Sequence, residues 1–128
     1  MAKDGRFFTV DEFKCKHCGY NVVKQELIDI ADVIRANWGG PLRVNSGCRC
    51  KEHNKAVGGV PSSNHTTGSA VDLSPTNGKA DTLWRFIRSM AMNGELPSLA
   101  GLGRYDTFVH IDIAPRIGRL REWDERKA

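Results

Sequence analysis

The sequence predicts an α+β fold in which a short, mainly antiparallel sheet is backed by helices. Two segments, 70–74 and 108–113, alternate apolar and polar residues with the period of a half-buried strand. Two others, 24–38 and 79–93, carry apolar residues at helical spacing, and each is followed directly by glycine. A chain of 128 residues is long enough to bury one core, so we predict a single domain over residues 1–128.

The predicted elements of the first third follow from local signals. Thr9 precedes Glu12 by three residues, the spacing of a capping box, which predicts a short first helix. The helix over 24–38 presents its apolar residues on one face and stops before two glycines and a proline. Residues 42–45 form a short predicted strand, which ends at the turn made by residues 46–47.

The two later strands each place polar residues on one face. Alternate side chains of a strand point to opposite sides, so the apolar positions of 70–74 and 108–113 face the core. Asp72 then lies on the other face of the first strand, and His110 and Asp112 lie on the other face of the second. If the strands are neighbours, these three side chains point into one cleft.

Two motifs supply metal ligands. Residues 63–72 have the form S-x-H-x-x-G-x-A-x-D, which contains His65 and Asp72, and the later F-V-H-I-D string contains His110. Two imidazoles and a carboxylate are the usual protein ligands of a catalytic zinc ion with one open position. A lone histidine or aspartate is more often structural, but here several constrained positions coincide within ten residues. The motifs therefore predict a zinc hydrolase.

At these residues the chain resembles the zinc D-Ala-D-Ala carboxypeptidase family, peptidoglycan metallopeptidases that share a metal-site fold with the hedgehog signalling domain and include phage endolysins. The similar segments are 8–13, 44–50, 53–59, 101–105, 108–112 and Trp123. The resemblance implies zinc ligands at His65, Asp72 and His110, and a substrate-carboxylate ligand at Arg49. It also implies hydrolysis of peptide bonds in peptidoglycan stem peptides, by a D,D- or L,D-type carboxypeptidase or endopeptidase.

The general base is left open. Many relatives place a Glu or Asp three residues before the last histidine ligand, where this chain has Thr107. Asp112 shares the strand face of His110 and is the first candidate for the catalytic acid–base group. Asp106 is the second, although it falls in the predicted turn before the strand. The alternative is a non-catalytic zinc-containing module that binds the cell wall or belongs to a phage particle.

Four cysteines form two close pairs, the second of which flanks Arg49: Cys15, Cys18, Cys48 and Cys50. In a cytosolic chain this pattern favours a second, structural zinc ion held by four thiolates, with His17 able to replace one of them. In an exported enzyme the same residues would form two disulfides. They could also be small buried thiols. Either cross-linked form would fix the segment that carries Arg49.

Charge, aromatic content and apolar runs indicate which partners and which cellular location to expect. The net charge of +4 comes from scattered lysines and arginines, and the one cluster, residues 116–127, also contains acids and is predicted to be a solvated face. Aromatic residues are not interleaved with basic ones, so nucleic acid is not an expected partner. The longest apolar runs span only a few residues, which predicts no membrane insertion, and the N-terminus has no apolar stretch, which predicts a chain made in the cytoplasm. We also expect a monomer. It would act on the wall after release or as part of a phage particle.

Overall fold

A computed structural model describes residues 2–114 and 118–127 and confirms the α+β prediction. The described residues form the α-helices α1 (Gln25–Trp38), α2 (Lys51–Ala56) and α3 (Ala80–Met92), the 3₁₀ helices Val10–Phe13 and Asn64–Thr67, and the strands β1 (Leu42–Ser46), β2 (Ala70–Pro75), β3 (Gly101–Arg104), β4 (Val109–Asp112) and β5 (Arg121–Asp124).

The five strands of the described residues form one sheet in the order β1-β2-β4-β3-β5. All neighbouring pairs are antiparallel except β3 and β5, which are parallel. In the register of β2 and β4, Asp72 pairs with His110 and Ala70 pairs with Asp112. Directly opposed residues of an antiparallel pair have Cβ atoms about 5 Å apart, so the sheet itself sets Asp72 beside His110.

The core lies on the other side of the sheet, where α3 packs on β2, β3 and β4, and α1 packs on α3. Val71, Leu73, Val109 and Ile111 are fully buried there, as their alternation predicts. The polar face of β2 is buried too, including Asp72. A charged residue is rarely buried in this way unless it is paired or binds a metal.

Most predicted elements lie within a residue or two of their predicted bounds. The helices predicted over 24–38 and 79–93 are α1 and α3. The capping box of Thr9 and Glu12 is present and opens the 3₁₀ helix Val10–Phe13. Among the described residues, none of the helices combines the length and apolarity needed to span a bilayer.

The charged segment 116–127 is largely exposed where the structure describes it, as predicted, but it also contains a strand. The solvated face predicted over 116–127 contains β5, which pairs with β3 and brings Trp123 against the ring of His110. Part of that segment, residues 116–117, lies outside the described residues. Strand β5 lacks apolar–polar alternation because only Trp123 of its four residues is partly buried. The sequence therefore carries no strand signal here.

Candidate metal centre and active site

The structure brings the three predicted zinc ligands together. His65 Nε2 lies 3.3 Å from Asp72 Oδ1, and His110 Nδ1 lies 3.0 Å from the same oxygen. One ligand atom from each residue lies within 4.8 Å of the other two. Zinc bonds of 2.0–2.1 Å in a tetrahedral arrangement place ligand atoms about 3.4 Å apart. The spacing of this donor set therefore fits zinc.

A short helical turn presents His65. The Ser63 hydroxyl accepts the backbone N–H of His65 at 3.2 Å and starts the 3₁₀ helix, and Gly68 ends it with a φ of 71°. A Cβ at Gly68 would also overlap the backbone of Val22, so both conformation and space require glycine there. His65 Nδ1 donates to the Gly47 carbonyl at 2.7 Å, which leaves the Nε2 lone pair facing Asp72.

His110 is oriented in the same manner from the neighbouring strand. Its Nε2 lies 2.9 Å from Asp112 Oδ2, and its Nδ1 lies 3.0 Å from Asp72 Oδ1. With a metal ion on Nδ1, the Nε2–H donates to Asp112, because an ionised carboxylate can only accept. The Trp123 ring packs against the imidazole with 5.0 Å between ring centroids. In metal-ligating histidines the second ring nitrogen is usually held by a carboxylate or a carbonyl. Both histidines here meet that description.

The electrostatics favour a cation at this point. Burial raises the pKa of Asp72, but the contacts with His110 and His65 outweigh burial and lower this pKa to about 2. Burial lowers the pKa of His110, and the carboxylates of Asp112 and Asp72 outweigh this and raise it. The cluster thus concentrates negative charge around two imidazoles, which a divalent metal ion would neutralise.

Asp112 does not lie where the sequence-based assignment of a general base needs it. Its side chain is 0% exposed, with one oxygen accepting from His110 and the other from Arg121. Burial raises its pKa, and the contacts with His110 and then Arg121 lower it overall. A carboxylate enclosed behind a ligand cannot reach a water molecule in the cleft. This geometry suits a residue that orients His110, and the assignment of Asp112 as general base stays a prediction.

Asp106, the second candidate base, lies in the turn before β4, as predicted. It is exposed, and its carboxylate accepts the backbone N–H of Lys127 at 3.0 Å. It is not a member of the group formed by His65, Asp72 and His110.

Arg49 lies at the edge of the metal-ligand group and is held on three sides. Its Nε donates to Ser46 Oγ at 3.1 Å, Nη1 donates to Asn54 Oδ1 at 3.2 Å, and Nη2 lies 3.5 Å from Asp72 Oδ2. Gly59 lacks the Cβ that would overlap the Asn54 amide. These contacts pre-orient the guanidinium and leave part of its N–H donors for a ligand.

Arg49 also lines two cavities. The smaller, of about 410 Å³, is bordered by Asp72, Phe108 and Thr107 and therefore opens beside the metal-ligand group. The larger, of about 640 Å³, is bordered by Thr66 and Cys18. A substrate in the smaller cavity would lie next to both Arg49 and Asp72.

The cysteines do not form the predicted group of four. Cys15, Cys18 and Cys50 lie together, whereas Cys48 is buried in the core and its Sγ accepts the backbone N–H of Val22 at 3.4 Å. All four thiols are free. Burial raises the pKa of Cys48. Burial also raises that of Cys15, but backbone N–H donors, first of all from Cys50, lower it to about 7.

Two glycines of β3 and two residues of β5 complete the site, and sequence reasoning missed their roles. A Cβ at Gly101 would overlap the Asp112 carboxylate, and one at Gly103 would overlap the Trp123 ring. Arg121 and Trp123 then reach Asp112 and His110 from β5. The alternating glycines of the G-L-G-R string were the available signal, since glycine in a strand often marks a close approach.

A family model described as Peptidase M15 matches residues 6–112, which include all three metal-ligand candidates and Arg49. The chain belongs to the peptidase M15 family. This confirms the resemblance to the zinc D-Ala-D-Ala carboxypeptidases and makes the protein a member of a zinc-dependent hydrolase family. No curated protein matches the chain. Strand β5 lies beyond the matched residues, so its contribution to the site is visible only in the structure.

Proposed function

We propose that this M15 protein is a zinc metallopeptidase that hydrolyses peptide bonds in the stem peptides of peptidoglycan. The observation that carries the proposal is the convergence of His65, Asp72 and His110, with both imidazoles oriented by second hydrogen bonds. Membership of a family of zinc-dependent peptidases supports the same conclusion. The cavity beside Asp72 has room for a short peptide segment.

Three residues would bind the zinc ion, and two others orient and cover the ring of His110. His65, Asp72 and His110 would hold the zinc ion, which supplies Lewis-acid polarisation of the scissile carbonyl and activation of a water molecule. Asp112 fixes the ring of His110 from behind and keeps the proton on Nε2, so that Nδ1 presents its lone pair. Trp123 covers one face of the same ring and limits access of bulk water to it.

Arg49 supplies the substrate contact. Its guanidinium lies 3.5 Å from Asp72, so a carboxylate bound to it would be only a few ångströms from the ligand group. That short separation favours a carboxypeptidase, in which the bond cut is next to the terminal carboxylate. An endopeptidase would use the same arginine for a free carboxylate of D-glutamate or diaminopimelate that branches from the peptide chain. We place the substrate in the 410 Å³ cavity in either case.

A second candidate function is a zinc-containing module that binds wall peptides without cleaving them. The observation that favours it is the absence of an evident base among the two predicted carboxylates, since Asp112 is enclosed and Asp106 is exposed outside the group. Thr107 occupies the position at which many relatives have a carboxylate. Peptide binding without product formation by the zinc-loaded protein would select this alternative.

Substitution of Arg49 tests the proposed substrate contact. Arg49→Lys is expected to damage activity, because lysine cannot reproduce the two-donor fork, and Arg49→Ala should cost about 2–4 kcal/mol in kcat/KM. The measurement is hydrolysis of a synthetic stem peptide with a free terminal carboxylate and of its amidated counterpart. Wild type should cleave the amidated peptide poorly, and Arg49→Ala should cleave the two nearly equally.

The matched control is Arg85→Lys, since Arg85 is largely exposed on α3 and, among the described residues, pairs only with Asp81 on its own helix. It should retain wild-type kinetics. Similar rates for free and amidated peptides in the wild type contradict the role of Arg49, while hydrolysis of either peptide still supports a peptidase.

A further inference from the structure

Three thiols from distant parts of the chain meet beside Arg49. One ligand atom each from Cys15, Cys18 and Cys50 lies within 4.8 Å of the other two. Zinc–sulfur bonds of 2.3 Å in a tetrahedral site place sulfurs about 3.8 Å apart, so closure on an ion needs a shift of at most about 1 Å. This cluster is separate from the group of His65, Asp72 and His110, and the proposed peptidase activity does not use it.

The first two thiols lie on a tight backbone turn. The Cys15 N–H donates to the Tyr20 carbonyl at 2.7 Å, and the Gly19 N–H donates to the Cys15 carbonyl at 2.8 Å. Gly19 has a φ of 81° with open space around it, so its requirement is conformational. No helix follows the turn until α1, which distinguishes it from a redox C-x-x-C at a helix start.

Backbone N–H groups point at two of the three sulfurs. The Cys50 N–H donates to Cys15 Sγ at 3.4 Å, and the His53 N–H donates to Cys50 Sγ at 3.3 Å. Such donors stabilise negatively charged thiolates and form the outer shell of metal sites, whereas a disulfide sulfur is a poor acceptor.

His17 offers a fourth ligand. Its Nδ1 lies 3.5 Å from Cys50 Sγ, close to the roughly 3.6 Å that separates a sulfur and a nitrogen ligand on one zinc ion. The ring stacks on His53 at 5.8 Å and is exposed, and it would have to turn toward Cys15 and Cys18 to complete the site. We propose that Cys15, Cys18 and Cys50 bind a structural zinc ion, with His17 completing the tetrahedral site.

A zinc ion bound by these cysteines would stabilise the segment that carries Arg49. Cys50 follows Arg49 directly and caps α2 through its sulfur, while Cys15 and Cys18 belong to the segment before α1. A zinc ion would join these two segments and fix the backbone that carries Arg49. The consequence for substrate binding rests on the proposed function, but the metal site itself does not.

Metal content tests the site without any activity assay. Reduced wild-type protein, loaded with zinc and passed through a desalting column, should retain two zinc ions per chain by elemental analysis. Asp72→Ala should retain one, Cys18→Ser should retain one, and the double variant should retain none. Cys48→Ala is the matched control, because Cys48 lies outside the cluster, and it should retain two.

Cobalt(II) identifies the ligands of the second ion. In the Asp72→Ala background, cobalt should give the near-ultraviolet sulfur-to-metal charge-transfer absorption of a thiolate site, and Cys18→Ser should reduce it. His17→Ala should weaken cobalt affinity by about tenfold or more while keeping that absorption. Unchanged affinity overturns the assignment of His17.

Two results overturn the site itself. One is wild-type metal content and charge-transfer absorption in Cys18→Ser and in the matching Cys15→Ser variant. The other is a disulfide among the three cysteines, detected by mass spectrometry of protein purified with zinc and without reductant. Neither result depends on peptide hydrolysis, so failure of this site and failure of the proposed function are distinguishable.

Discussion

Replacement of any one of His65, Asp72 and His110 by alanine is expected to remove the zinc ion of that site and reduce hydrolysis to the uncatalysed background. Each residue supplies one of three protein ligands, and two ligands do not hold a labile ion against dilution. Circular dichroism should show folded protein, because the core lies on the opposite face of the sheet. Elemental analysis and a peptide assay give the two readouts.

Asp29→Ala is the matched control for Asp72→Ala. Asp29 is an exposed carboxylate on α1 that contacts only the Gln25 side chain among the described hydrogen bonds, so its removal should leave zinc content and activity unchanged. Retention of wild-type metal content by all three ligand variants would show that the metal site has been assigned to the wrong residues.

Asp112→Asn is expected to lower zinc affinity by about 10–100-fold, the usual effect of removing a partner that orients a metal-binding histidine. An amide oxygen can still accept from His110 or from Arg121, but its NH₂ group faces the other donor. Activity should fall at low zinc and recover in part when zinc is added in excess. A zinc titration followed by activity measures both effects, and Asp106→Asn is the control that should leave affinity unchanged.

Zinc affinity should also fall when residue 112 remains aspartate but its carboxylate is pushed out of position. A Cβ at Gly101 would occupy the space of the Asp112 carboxylate, so Gly101→Ala should also weaken zinc binding. If Asp112→Asn instead keeps wild-type zinc affinity and loses about a hundredfold or more in turnover, Asp112 is the general base after all. A large turnover loss in Asp106→Asn alone would assign that role to Asp106.

The metal ligands could be predicted from the sequence because strand alternation and a ten-residue motif are local patterns. Period-2 alternation fixes which face of a strand a residue occupies, and this placed Asp72 and His110 on the correct side. The S-x-H-x-x-G-x-A-x-D string supplied His65 and the glycine that its turn requires. The pairing of β2 with β4 was a condition of that prediction, and the structure supplies it.

The burial of Asp112 behind His110 could not be predicted from strand alternation. Face alternation puts Asp112 beside His110 but says nothing about depth, and depth depends on Gly101 and Arg121 from two other strands. Strand β3 contains two glycines and β5 is mostly charged, so neither has the composition typical of a strand. Their pairing is a long-range property of the fold.

The cysteines illustrate the same limit. From spacing alone, Cys48 and Cys50 are equally good candidates for the predicted metal site, since both lie next to Arg49. In the structure one points into the core and the other toward the surface turn of Cys15 and Cys18. Which member joins the cluster is decided by the direction of the backbone between β1 and α2, which no local pattern reveals.

Mass spectrometry of purified muropeptides, before and after incubation with the zinc-loaded protein, tests the central claim most directly. The expected result is loss of a terminal amino acid or separation of cross-linked stems by wild type, with no change under Asp72→Ala. The products also identify the bond and separate exo- from endopeptidase action. Unchanged muropeptides with a fully zinc-loaded wild type would contradict the peptidase proposal and favour the non-catalytic binding module.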